Sequence, residues 1–136
     1  MTSLAPADVG HRFLGSLAVQ DFERLASELS DDVRLRAVLP GDTKEWHGPD
    51  RVKATFVRWF GNTKEFELLD ATVEELGSRL HMSWRARVSA DRLGEGRFTV
   101  EQHAYVDTDE HNRIQHLWLA CSGYLAEDRP ARNAAK

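Results

Sequence analysis

Residues 79–90, Arg-Leu-His-Met-Ser-Trp-Arg-Ala-Arg-Val-Ser-Ala, decide the fold class. Leu80, Met82, Trp84, Ala86 and Val88 fall on every second position, with His81, Ser83, Arg85 and Arg87 between them. Side chains alternate across a β-strand, so one face of this segment is apolar and the other polar. The same period runs through residues 97–107, where Phe98, Val100, Gln102, Ala104 and Val106 share the inward face and Thr99, Glu101, His103 and Tyr105 the outward one. In residues 113–122, Leu117, Leu119 and Cys121 point inward and His116, Trp118 and Ala120 outward. With a further strand at 66–76, four strands follow one another. Gly77-Ser78, the two glycines of 91–96 and Asp109-Glu110-His111-Asn112 supply the hairpin turns.

The N-terminal half has a different period. Val9, Phe13, Leu14 and Leu17 have helical spacing over residues 7–20, with Pro6 suited to the first turn. Asp21 reads as the N-cap of a second helix carrying Phe22, Leu25, Ala26 and Leu29. Val33, Leu35 and Ala37 then mark a first strand, which Pro40-Gly41-Asp42 ends. Lys44-Glu45-Trp46-His47 reads as a loop. Gly48-Pro49-Asp50 opens a third helix over 49–60, with Val52, Phe56, Trp59 and Phe60 on its buried side and Gly61-Asn62 closing it. The predicted architecture is α+β: helix, helix, strand, helix, then four strands of a mostly antiparallel sheet. Residues 1–124 read as one domain and 125–136 as a disordered tail with little to bury.

At 136 residues one core is expected, and a charge of −4 with acids and bases interspersed leaves no basic stripe. Nucleic acid is therefore not an expected partner, because phosphate binding needs concentrated positive charge. No apolar run nears the roughly 20 residues that span a bilayer, and the first residues lack the basic-then-apolar order of a signal peptide, so the expectation is a cytoplasmic protein with no membrane partner. The one cysteine, Cys121, excludes an internal disulfide, and the six histidines fall in no helical metal-ligand spacing. Neither a metal site nor another cofactor is expected.

This order of elements, with strands long enough to wrap three helices, resembles the cone fold of the nuclear transport factor 2-like superfamily, and most closely its SnoaL-like branch. Leu29-Ser30-Asp31-Asp32-Val33, Gly48-Pro49-Asp50 before an apolar helix, and Gln102-His103-Ala104-Tyr105-Val106 with Arg113-Ile114 are similar to recurrent motifs of that group, over residues 7–124. The resemblance implies a pocket between helices and sheet, used by isomerases, epoxide hydrolases, polyketide cyclases and binding proteins alike. At the positions where an isomerase of this fold carries its base and oxyanion donors stand Ala37, Phe13 and Gln102, none of them an acid. Leu117 and Leu119 stand where an epoxide hydrolase needs a carboxylate.

The expected pocket is apolar and aromatic, lined by Phe13, Phe56, Trp59, Met82, Trp84, Leu119 and Cys121, with Gln102 as its one amide. Such walls take an apolar, ring-containing small molecule. The competing enzyme reading, a polyketide cyclase or related isomerase, uses His103 or His47 as acid or base, and for His103 it needs the opposite strand register. In a third reading the pocket is only a gap in the core. The outward row of His81, Arg85, His103, Tyr105, His116 and Trp118 mixes aromatic and polar side chains as interfaces do, and predicts a homodimer through that face.

Overall fold

Alternation in sequence becomes alternation in burial along the central strands of the computed structural model, which describes residues 6–127. The elements are α1 (Pro6–Ala18), α2 (Phe22–Ser27), β1 (Leu29–Leu39), β2 (Asp42–His47), α3 (Pro49–Phe60), β3 (Glu65–Leu76), β4 (Arg79–Ser89), β5 (Phe98–Thr108), β6 (Ile114–Cys121) and β7 (Leu125–Ala126), with a 3-10 turn at Asp91–Leu93. The strands make one sheet in the order β2-β1-β6-β5-β4-β3, and β7 pairs with β5. β1 runs parallel to β6, and the other pairings among the described residues are antiparallel. Register shifts at Leu29/Arg34, Leu68/Asp70 and Asp107/Thr108 interrupt three ladders. Such bulges bend a strand and increase its twist, which lets a long sheet curl around helices.

The helices fill the concave side. α3 buries Val52, Thr55, Phe56 and Phe60, while Gly48 and Pro49 form its N-terminal boundary. Asp21 caps α2 by accepting from the Arg24 amide at 3.1 Å. α1 approaches β3 so closely at Gly10 that a Cβ there would stand 2.9 Å from Val73 Cγ1. The core unites these helices with the inward residues of β1, β4, β5 and β6. No helix among the described residues is long and apolar enough to cross a membrane.

Four expectations change. α2 ends at Ser27, so that Leu29, expected on its apolar stripe, opens β1. The first helix ends at Ala18, because Gln20 takes φ 57° and its side-chain amide donates to Phe60 O at 2.7 Å, tying the α1–α2 turn to the end of α3. Residues 42–47 are a strand rather than a loop: Leu39 pairs with Asp42 across Pro40-Gly41, and Gly41 at φ 76° supplies the left-handed corner of a two-residue hairpin. The sheet also extends past residue 124. Leu125 and Ala126 pair with Thr99 and Phe98, and Glu127 bonds to Arg87 at 3.0 Å, so the ordered chain includes the start of the expected tail; its remainder lies outside the described residues.

Candidate functional site

Gln102 is the polar exception on the concave face. It sits mid-strand on β5, opposite Trp84 of β4 on one side and Cys121 of β6 on the other, so all three side chains share the inner face. Gln102 is 1% exposed. Its Oε1 accepts from Trp84 Nε1 at 3.0 Å, whereas its Nε2 has no hydrogen-bond partner among the described residues. An amide donor left unpaired out of water costs about 1–3 kcal/mol. The other fully buried polar side chains are satisfied locally: the Ser16 and Thr55 hydroxyls donate to the carbonyls of Arg12 and Arg51, and Ser30 donates to Asp32.

Around Gln102 the expected pocket residues are assembled, but as packed core. Phe13, Phe56, Met82, Trp84 and Leu119 are each at most 2% exposed. Phe13 meets Phe56 edge-on at 5.5 Å and Trp84 at 6.1 Å between ring centroids. The aromatic chain continues outward from Phe56 to Trp59 at 5.2 Å and from Trp59 to Trp46 at 5.9 Å. Trp46, Trp59, Cys121 and Tyr124 are half-buried and form the rim. There the Tyr124 hydroxyl and the Arg92 guanidinium both donate to Trp59 O. Burial pushes the Tyr124 hydroxyl above its ordinary pKa, with nearby Arg92 opposing. This rim is only partly legible in the sequence: Trp59 and Cys121 are among the expected pocket residues, but Tyr124, following Gly123 after the last recognised strand, carries no periodic signal.

Both catalytic candidates lie on the other side. His103 has its side chain 45% exposed, with Nε2 2.7 Å from Glu101 Oε2, and His47 is 56% exposed with Nε2 3.0 Å from Glu45 Oε2. The β5 register puts Glu101 and His103 outward together, so neither candidate histidine reaches the concave face. Among the described residues no fully buried side chain is a carboxylic acid, imidazole, amine or thiol.

The convex face carries the charge. Arg85 pairs with Asp70, and Arg87 with Glu67 and Glu127, while Glu101 pairs with His103. Arg79 lies 4.8 Å above the Trp118 ring and bonds to Asp107 at 2.9 Å. Next to this ordered region lies a cleft of ≈ 360 Å³ whose walls include Val38, Tyr105, Trp118 and Ala120. Val38 is 56% and Tyr105 45% exposed. A second, polar cleft lies where β1 and β6 begin, beside Asp32, Arg34, His47 and His116. The Asp32 carboxyl is held below its ordinary pKa by hydrogen bonds from Ser30 and then Gln115.

No protein-family model and no curated protein matches this sequence. Solved structures do. An NTF2-like protein of unknown function from Cytophaga hutchinsonii superimposes with a TM-score of 0.63 at 14% identity, covering 89% of this chain and 93% of its own. A protein from Pseudomonas putida ascribed to the polyketide cyclases gives 0.67 at 17% identity, with 86% and 91% covered. A protein from Shewanella putrefaciens ascribed to the SnoaL-like polyketide cyclases gives 0.69 at 10% identity, with 88% and 91% covered. At such identities the shared property is the path of the backbone, and by that path this chain has the cone fold of the NTF2-like and SnoaL-like proteins.

Proposed function

We propose that the chain binds an apolar, ring-containing small molecule bearing one hydrogen-bond acceptor, received on the concave face by Gln102. The observation that carries this reading is the unpartnered Gln102 Nε2, a donor held in place by the bond its own Oε1 accepts from Trp84. A ligand carbonyl against that donor recovers the desolvation cost while the ring contributes apolar contact. Trp46 and Trp59 are the movable part of the wall. They are half-buried, on an edge strand and in the last turn of α3, and among the described ring contacts they reach the fully buried aromatics only through Trp59, which meets Phe56 and Phe60. Binding, rather than proton-transfer catalysis, fits a concave face whose fully buried side chains include no acid or base.

A matched pair of probes tests the reading: 9-fluorenone, which has a ring carbonyl, and fluorene, which lacks it. A ligand of the native state raises Tm in proportion to its affinity. Fluorenone is expected to raise Tm and quench tryptophan fluorescence more than fluorene, and Gln102→Leu to erase the difference. Equal responses to both probes, or an unchanged fluorenone response in Gln102→Leu, would exclude the amide as the anchor.

The same reading includes pairing of two copies through the convex face. Exposed Val38 and Tyr105 lie on it beside the Trp118 cleft. Arg34 and Arg36 of β1 have no ion-pair partner among the described residues, while Glu67, Asp70 and Glu74, which already face Arg87, Arg85 and His81, stand on β3 at the other end of the sheet. A two-fold axis parallel to the strands sets these opposite charges against each other, and apolar patches of this kind mark contact surfaces. Light scattering is expected to give the mass of two chains, reduced to one by Val38→Glu with Tyr105→Glu at unchanged circular dichroism. A single-chain mass for the unaltered protein at tens of micromolar would exclude the pairing.

A further inference from the structure

On the convex face, Glu74, His81, His103 and Glu101 form a continuous line across β3, β4 and β5. Glu74 Oε1 is 3.0 Å from His81 Nδ1, His81 Nε2 is 3.4 Å from His103 Nδ1, and His103 Nε2 is 2.7 Å from Glu101 Oε2. The two rings are nearly parallel, 18° apart, and Tyr105 packs on His81 with centroids at 5.0 Å. His81 is the more enclosed member, its side chain 18% exposed, so its ring position is fixed by packing.

Each carboxylate accepts a hydrogen bond, so each outer ring nitrogen must carry hydrogen to donate one. In a neutral imidazole the second nitrogen is then a lone pair. With both rings neutral, the lone pairs of His81 Nε2 and His103 Nδ1 face each other, and either one proton or a metal ion between or beside them relieves the repulsion. Two Zn–N bonds of about 2.0–2.1 Å meeting at a tetrahedral angle separate their nitrogens by about 3.4 Å, the spacing found here. A metal-bound imidazole characteristically donates its other N–H to a carboxylate, and both imidazoles already do.

We propose that His81 and His103 form a two-histidine chelating site for a borderline divalent transition metal of tetrahedral preference, Zn2+ in the first place, oriented by Glu74 and Glu101. Imidazole nitrogen selects Zn2+ over the hard, oxygen-seeking Mg2+ and Ca2+. The described residues contain no group of three or more His, Cys, Asp or Glu poised around one metal position, so the site supplies two ligands and leaves the rest of the coordination shell to water or an added Lewis base. This site lies on the opposite face of the sheet from Gln102 and does not depend on what that face binds, but His103 shares the convex cleft with Tyr105 and Trp118, so pairing of two copies through that face would compete with the metal.

Calorimetric titration of the full chain with Zn2+ tests the proposal, with visible absorption of added Co2+ reporting the geometry. One ion per chain is expected, with intense tetrahedral-type Co2+ bands. His81→Ala and His103→Ala should each abolish the bands, and Glu74→Gln or Glu101→Gln should weaken binding about 10–100-fold. His111→Ala and His47→Ala should leave the titration unchanged. All these side chains are at least partly exposed, so circular dichroism should be preserved in every variant. Binding that persists in His81→Ala and His103→Ala, or no Zn2+ binding up to millimolar concentration, would overturn the assignment and leave the facing nitrogens sharing only a proton.

Discussion

The two faces of β4 and β5 are built from the same strands, residue by residue in alternation, yet they solve opposite problems. On the concave face Met82, Trp84, Val100 and Ala104 are at most 1% exposed, and one amide is the single polar interruption. On the convex face His81, Arg85 and His103 find partners across the strands, and Glu101 finds His103 along its own strand, in ion pairs and hydrogen bonds. The inner face holds its polar group by exclusion of water, which makes the geometry of one hydrogen bond expensive to disturb. The outer face holds its groups by mutual attraction in a high-dielectric setting, where each exposed pair contributes little. Site chemistry on the inside therefore depends on shape and one donor, and on the outside on the spacing of titratable rings.

The largest effect that separates the faces is a core truncation. Phe56→Ala removes the ring that links Phe13 to Trp59 and should cost about 3–5 kcal/mol in a denaturant titration. Tyr105→Ala, on the same sheet but 45% exposed, should cost far less. Comparable losses at the two positions would mean that the outer face is as enclosed as the core.

A smaller effect sharpens the role of the inner amide. Trp84→Phe strands Gln102 Oε1 beside the already unpaired Nε2 and should cost about 1–3 kcal/mol in addition to any packing change, whereas Gln102→Leu strands the Trp84 N–H but also removes the unpaired Nε2 and should cost less. The double variant removes donor and acceptor together, and its cost should fall below the sum of the two. Additive losses in the double-mutant cycle would show that the bond is not a coupled unit.

The smallest expected effect lies on the convex face at Glu127. Its carboxyl is held below the ordinary value of 4.5 by the Thr99 hydroxyl first and Arg87 second. A carboxyl lowered in the folded state contributes stability that is complete above the unfolded pKa and is lost as pH falls through the folded one. Acidification from pH 5 downward should therefore release β7 from β5, seen as a falling protection factor at the Glu127 amide, which donates to Arg97 O. Glu127→Gln should flatten that pH dependence; an unchanged acid limb would place the sensitivity elsewhere.

The contrast between faces also explains how much was legible. Period-two spacing marked β3 to β6 within a residue or two but missed the start of β1 at Leu29, and it oriented Gln102 inward and His103 outward, because a one-residue slip would have exposed Trp84 and buried Arg85. It failed at β2, whose residues are exposed apart from Trp46, so no apolar alternation exists to be seen. Only Pro40-Gly41, a two-residue turn, pointed to a hairpin there. β7 is too short for any period, and it docks because β6 ends opposite Gln102 and leaves Phe98 and Thr99 without a neighbour on that side. The openness of the pocket was not legible either, since Phe13, Phe56 and Trp84 are equally suited to line a cavity or to fill one.

By itself the sequence determined the layers, the inward row and the chemical poverty of the concave face, because burial imposes a local period that any stretch of ten residues records. Tertiary structure alone decided that β1 runs beside β6, that Gln102 spends its acceptor on Trp84 and keeps its donor, and that Glu74, His81, His103 and Glu101 form one line. These depend on the register between strands distant in sequence, set by bulges, turns and the packing of the whole sheet rather than by any segment's own pattern.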